Sequence, residues 1–344
     1  MSDSSRGSAA GHSLRQHGGR LSHARALHPE APEPWLDLST GINPAPYPAS
    51  AASDSARMRL PDPEQLRALE TIAGKAFGSS DSALVVATAG SEAALRAMPY
   101  VLRSSGAIVA EPTYSSHADA WNRAGVRMHH ILYASHATRG STVTIVNPNN
   151  PDGAIVSRER VLALHDEWRD RDGYVVIDEA FADVVPGCSV TDVAGTPRYP
   201  NLVVLRSFGK FYGLAGVRLG FVIAAPALVA RFRALFGDWP VSADAIHAGL
   251  TAYADNAWAD ATRARLQLEA QRLDDVLMSA GFEIVGGTSL FRLARSADAA
   301  LRFERLLQAG ILARPFDYDP ALLRFGLPHG EAAWERLRQA LRAP

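Results

Sequence analysis

The chain has very little cysteine and almost no lysine: one Cys, at 188, and two Lys among 35 basic residues. A single thiol excludes a disulfide framework and a cysteine-built metal site. Charge of one sign is missing too. The 35 basic and 36 acidic residues leave a net charge of −1, which argues against a coat for nucleic acid or an anionic membrane. Long apolar runs are also absent. The longest, Phe221 to Ala230, is about half a membrane span and contains Pro226. Met1 to Arg20 is polar and lacks the apolar segment of a secretory signal, so a cytoplasmic location is expected. Nucleotide loops are missing. No G-x-G-x-x-G follows a strand, Gly74-Lys75 is followed by Ala76, and Gly209-Lys210 by Phe211. His129 and His130 are adjacent, so in a strand they point to opposite faces, and no metal site is expected.

The scarcity of lysine is the most informative of these absences. The other 33 basic residues are arginines. Arginine serves on most surfaces, but it cannot lose its proton and attack a carbonyl. Each remaining lysine therefore needs a reason. Lys75 precedes Gly78 near a helix end, where a solvated cation suits the helix dipole. Lys210 lies among glycines, eight residues before Arg218.

What is present is an alternating α/β chain. With 344 residues and 47% hydrophobic content there is ample core for two domains. Residues 1–16 are Ser/Gly-rich and read as a disordered tail, and 17–62, rich in proline, as an extended arm joining a smaller domain. Residues 63–250 alternate short apolar strands with helical stretches. Strands are expected at 83–87, 107–110, 126–132, 142–146, 174–177, 202–205 and 217–223, and helices at 64–77, 91–102, 115–123 and 158–170. That pattern predicts a large domain with a mostly parallel sheet covered on both faces. Residues 251–344 read as a smaller α+β domain, entered by one long helix over Ala243 to Ala280 that ends at Gly281.

Four segments carry chemistry. Gly90-Ser91 follows a strand and opens a helix, which suits an anion, although an N-cap at Ser91 accounts for it equally well. Asn147-Pro148-Asn149-Asn150-Pro151-Asp152-Gly153 is a turn composition, with the Asn150 amide available for a ligand oxygen. Asp178, in Ile177-Asp178-Glu179-Ala180-Phe181, ends an apolar strand, where open α/β sheets bind ligands. A helix N-cap is the alternative. The fourth runs Ser207-Phe208-Gly209-Lys210 to Gly216-Val217-Arg218-Leu219-Gly220-Phe221, and for Lys210 alone a surface lysine is the bland reading.

In this order and spacing, over about Pro63 to Arg324, the four segments resemble class I/II aminotransferases that use pyridoxal 5′-phosphate, fold type I. His17-Gly18-Gly19 and Ser39-Thr40-Gly41-Ile42-Asn43-Pro44 further resemble the threonine-phosphate decarboxylases of cobalamin biosynthesis, relatives of histidinol-phosphate aminotransferases. The resemblance implies that Lys210 links covalently to the cofactor and that Asp178 keeps its ring nitrogen protonated. Asn150 would hold the ring oxygen or the substrate, and Gly90, Ser91, Ser207 and Arg218 the cofactor phosphate. His117 falls where relatives stack a tyrosine on the ring, with a plain polar helix residue as the alternative. For the substrate, Arg324 matches an arginine that binds a carboxylate. Arg314, His17 and the Gly18 backbone match groups that reach its phosphate, and Gly41 sits where some relatives have asparagine.

Phe181 and Leu60 replace tyrosines of the aminotransferase branch. The implied reaction is decarboxylation of L-threonine O-3-phosphate to (R)-1-amino-2-propanol O-2-phosphate by a homodimer that could join other cobalamin-synthesis proteins. The rivals are a histidinol-phosphate-type aminotransferase and a non-catalytic component of such a complex.

Overall fold

The computed structural model describes residue 14 and residues 18–79, 81–129 and 139–342. The expected tail, apart from Leu14, lies outside them, as do His17 and His130. Two compact units result. The larger comprises Pro46–Asn150 and Ala154–Asp260, and the smaller Met1–Ala45, Pro151–Gly153 and Ala261–Pro344.

The first strand, β1 (Leu36–Asp37), belongs to the smaller unit. The larger unit holds β2 (Val85–Thr88), β3 (Ala107–Val109), β4 (Met128–His129), β5 (Thr142–Val146), β6 (Tyr174–Asp178), β7 (Leu202–Ser207) and β8 (Gly220–Ile223). They form one sheet in the order β2-β8-β7-β6-β5-β3-β4. Strand β8 runs antiparallel to both neighbours, and the other pairings are parallel. Every residue of β2, β7 and β8 is buried, as a doubly covered sheet requires and as the apolar runs Val85–Ala87, Leu202–Leu205 and Phe221–Ile223 foretell. One face packs Leu95, Met98 and Val101 of the helix Ser91–Leu102 with Trp121 and Phe232 against Val86, Val176, Leu205 and Val222. Each such side chain contributes roughly 1.5–3 kcal/mol by leaving water.

The helix expected as one element from 243 to 280 is two, Ala243–Ala252 and Asn256–Ser279. Capping overrides apolar continuity there. Ser242 Oγ accepts from Ala245 N at 3.2 Å, and Asp255 Oδ1 from Trp258 N at 2.9 Å. The run from Phe221 also divides. Strand β8 ends at Ile223, and Pro226 opens the helix Pro226–Phe236 at its first turn. Residues 46–62 pack within the larger unit, where Tyr47 N donates to Tyr212 O at 2.9 Å and Ala52 N to Asp244 Oδ1 at 2.8 Å.

In the smaller unit, β9 (Glu283–Thr288), β10 (Phe291–Arg295), β12 (Arg314–Pro315) and β13 (Leu322–Gly326) form an antiparallel sheet in the order β12-β13-β10-β9. Strand β11 (Ile311–Leu312) pairs in parallel with β1. Arg336, on the last helix, donates to the carbonyls of Pro32, Pro34 and Ala309. It thereby ties the proline-rich segment to this unit. No helix among the described residues is long and apolar enough to cross a membrane.

Candidate active site

Register places most of the sequence candidates of the larger unit at one end of its sheet. Asp178 ends β6 opposite Val146 of β5 and Leu205 of β7. Ser207 ends β7 opposite Gly220, and Gly220 also faces Thr88 at the end of β2. The chain continues from these points into Asn147–Asn150, Glu179–Phe181, Phe208–Lys210 and Ala89–Ser91. The ends of parallel strands thus deliver the candidates to the edge where such sheets bind ligands.

Gly90, not Ser91, is the N-cap of the helix Ser91–Leu102, and no side chain caps that helix. Its φ of 84° is left-handed. A Cβ at Gly90 would sit 2.7 Å from Arg218 Nη2, so a larger residue would push that guanidinium aside as well as strain the backbone. Arg218 itself is left-handed, at φ 58°, a conformation that costs a non-glycine residue about 1–2 kcal/mol. A helix N-terminus under a guanidinium is a cradle for a phosphate dianion.

Asp178 is 4% exposed. Its Oδ1 accepts from Ala180 N at 3.0 Å, and its Oδ2 lies 2.8 Å from His117 Nε2. The carboxylate ends a strand rather than capping a helix, and two neighbours fix its orientation. His117 is buried on the helix Ser116–Arg123, its ring 6.2 Å from that of Tyr114. In the adjoining turn, Asn147 Nδ2 donates to Val156 O at 3.0 Å, and Asn149 Oδ1 accepts from Thr113 Oγ1 at 2.6 Å. Those two amides build the turn, and half-buried Asn150 follows them. Lys210 is half-buried on the single-turn helix Phe208–Phe211, its Nζ 6.0 Å from the centre of the Phe181 ring. Lys75 is exposed in the last turn of the helix Pro63–Phe77. Leu60 is exposed.

The sequence reading missed the buried charges behind this edge. Arg206, 4% exposed, donates from Nη1 to Glu179 Oε2 at 2.9 Å and from Nη2 to Asp183 Oδ1 at 2.5 Å. Glu179 also accepts from Ser189 Oγ, Val190 N and Thr191 Oγ1. The available signal was a second carboxylate directly after Asp178. Beside it lies Cys188, whose thiol burial pushes up to about 11.

The smaller unit gathers the other candidates. Arg314 of β12 and Arg324 of β13 are direct cross-strand partners. Like charges so placed repel. Arg324 is buried, and that burial, with Arg314 next, lowers its guanidinium from above 12 to about 9. Arg324 Nη2 donates to Ser39 O at 2.7 Å, and its guanidinium carbon lies 5.0 Å from the Phe291 ring centre. Ser39 in turn is set by Asp37, which accepts from its N at 2.9 Å and its Oγ at 2.5 Å. Gly19 N donates to Ser39 Oγ at 2.7 Å, and a Cβ on Gly18 would stand 2.4 Å from Ser39 O. Gly41 is buried two residues on. Half-exposed Tyr318 has its phenol raised to about 12 by burial and Asp152, with Arg314 and Arg324 acting the other way. Two arginines on one small sheet suit a ligand with two anionic groups.

The family model of class I and II aminotransferases matches residues 33–341. The chain is 38% identical over 331 residues to a threonine-phosphate decarboxylase of Pseudomonas aeruginosa, covering 95% of this chain and 97% of that one. It is 31% identical over 323 residues to histidinol-phosphate aminotransferase 1 of Bradyrhizobium diazoefficiens, covering 85% and 89%. The fold superposes on a histidinol-phosphate aminotransferase of Sinorhizobium meliloti, solved in complex with pyridoxal-5′-phosphate, with a TM-score of 0.79, 18% identity and 93% of each chain covered.

Proposed function

The chain belongs to the class I and II aminotransferase family, and we propose that it is a pyridoxal-phosphate enzyme that decarboxylates L-threonine O-3-phosphate to (R)-1-amino-2-propanol O-2-phosphate. The carrying observation is the opposed pair Arg314 and Arg324. A substrate with a carboxylate and a phosphate gives each arginine an anion. The identity to the Pseudomonas decarboxylase over nearly its whole length supports the same reading.

The larger unit fits the cofactor. The Gly90–Ser91 helix start, Ser207 and Arg218 would hold its phosphate, and the cradle at Gly90 is one that a Cβ would fill. Asp178, oriented by His117 and Ala180 N, would hold a proton on the ring nitrogen, and Asn150 would hold the ring oxygen. Lys210 would anchor the group covalently. Bound there, pyridoxal phosphate supplies a sink for the electron pair left when a bond to the substrate Cα breaks. In the smaller unit, Arg324 and Arg314, with Gly18 and Gly41, would hold the two anions of the substrate. The Lys210 amine would be the group that returns a proton to the substrate once carbon dioxide has left. We further propose that the protein works as a homodimer in the cytoplasm and supplies the aminopropanol unit of cobalamin.

The test is to incubate cofactor-loaded protein with phosphothreonine, and separately with histidinol phosphate plus 2-oxoglutarate. Release of carbon dioxide from phosphothreonine, with at least about 10⁴-fold preference over threonine, is expected. Faster formation of glutamate from the second mixture overturns the reading in favour of an aminotransferase.

A further inference from the structure

We propose that Arg206 is a positioning residue that sets the distance between Asp178 and Lys210 without touching cofactor or substrate, an inference that rests on reading the larger unit as a pyridoxal-phosphate site. Successive residues of a strand face opposite sides of the sheet. Leu205, the register partner of Asp178, and Ser207 therefore share one face of β7, and Arg206 takes the other. There it is sealed among Glu179, Asp183 and the Phe77 ring, whose centre lies 4.6 Å from the guanidinium carbon. Glu179 is the next residue after Asp178, and Arg206 the residue before Ser207.

Two links tie these strand ends at the same level. Glu179 N donates to Leu205 O at 2.9 Å, and the Arg206 guanidinium reaches back to the Glu179 carboxylate. Its second nitrogen fixes Asp183, one turn further along the segment that leaves β6. Arg206 thus ties that segment to the strand from which the turn bearing Lys210 departs. Glu179 is fully engaged by its other donors, so the anchor does not swing. The fork matters. One nitrogen serves each carboxylate, which a lysine ammonium, a single point of charge, cannot reproduce. Displacements of about half an ångström between groups that must act together are enough to reduce catalysis.

Arg206→Lys and a neutral variant carrying Arg206→Met, Glu179→Gln and Asp183→Asn test this. Four quantities are read: melting temperature, cofactor dissociation constant, the pH midpoint of the visible absorbance of cofactor-loaded protein, and kcat and KM on phosphothreonine. For Arg206→Lys the expectation is a folded protein with at least a tenfold weaker cofactor constant, a displaced midpoint, lower kcat and nearly unchanged KM. The neutral variant should keep these defects even where its melting temperature equals that of the unsubstituted protein. A wild-type constant and midpoint in Arg206→Lys overturns the proposal. So does full recovery of both in a neutral variant of restored stability, which would make the role structural only. Absence of decarboxylation by the unsubstituted protein would sink the functional reading instead, while the cofactor constant and midpoint would still decide the role of Arg206.

Discussion

Replacing Arg324 by methionine should stabilise the protein while removing its grip on substrate. Arg324 is buried opposite Arg314, and its guanidinium is lowered to about 9. A base whose folded value lies below its unfolded one destabilises the fold wherever it is charged in both states, which here means below about pH 9. The penalty is released only as pH rises from there toward the ordinary arginine range. A displacement of that size corresponds to at most about 5 kcal/mol. Against it stand the donor that Ser39 O would lose, roughly 1–3 kcal/mol, and the contact with the Phe291 ring, roughly 0.5–2 kcal/mol. Methionine fills much of the same volume, so little cavity is added. The balance favours Arg324→Met by about 1–2 kcal/mol, or a rise of about 2–6 °C in melting temperature. Calorimetry at pH 7.5 checks it, and at pH 10 the advantage should shrink. Phosphothreonine at about 100 times its dissociation constant should stabilise the unsubstituted protein by about 2.7 kcal/mol and leave the variant unmoved. A melting temperature more than about 3 °C below that of the parent at pH 7.5 would refute the electrostatic argument.

Lys210→Arg should abolish the visible absorbance of the loaded protein. Borohydride reduction of the parent should place the label on Lys210 by mass spectrometry, and a label on exposed Lys75 would remove Lys210 from its role. Gly90→Ala adds a Cβ 2.7 Å from Arg218 Nη2 at φ 84°. It should leave the fold intact and weaken cofactor binding at least tenfold, about 1.4 kcal/mol, as read by titration, and an unchanged constant would exclude Gly90 from the cradle. The Cys188 thiol, buried and raised to about 11, should resist a thiol reagent at pH 8 until the chain is unfolded; rapid labelling of native protein would contradict its burial.

The alternation of the larger unit was legible because strands covered on both faces are largely apolar. Thr142–Val146 and Ser91–Leu102 fall where the sequence places them. The misreadings share a cause. Pattern alone does not show where one apolar run changes conformation, so the expected strand at 217–223 ends with β8 but the helix Pro226–Phe236 went unread, and the break at Tyr253–Asp255 disappeared into a continuous helical period. Within the site, Gly90, Asp178, Lys210 and Arg218 could be found because each sits in a local motif at a strand end. The Glu179–Arg206–Asp183 cluster could not. Its members are 27 and 23 residues apart in sequence, and Arg206 is one arginine among 33. Only the pairing of β6 with β7 brings them together.

That pairing logic also bears on the choice of substrate. The residues proposed for the cofactor would serve a decarboxylase and an aminotransferase equally, so they do not discriminate. Arg314 and Arg324 select among substrates instead. Ten positions apart in sequence, they are brought face to face by the β12–β13 register, and one of them is buried at a penalty that persists at neutral pH. An anion between or beside them lowers that penalty, and a second anion lowers it further. Histidinol phosphate brings one anionic group and would leave one guanidinium still facing the other, although the 2-oxoglutarate that an aminotransferase also takes brings two, so the pair separates substrates rather than reaction classes. Phosphothreonine brings a phosphate and a carboxylate, and so engages both. The destabilisation stored in the free protein thus becomes differential affinity for the doubly anionic ligand. On this argument Arg314→Met alone should narrow the preference for phosphothreonine over threonine, whereas Arg324→Met should weaken both.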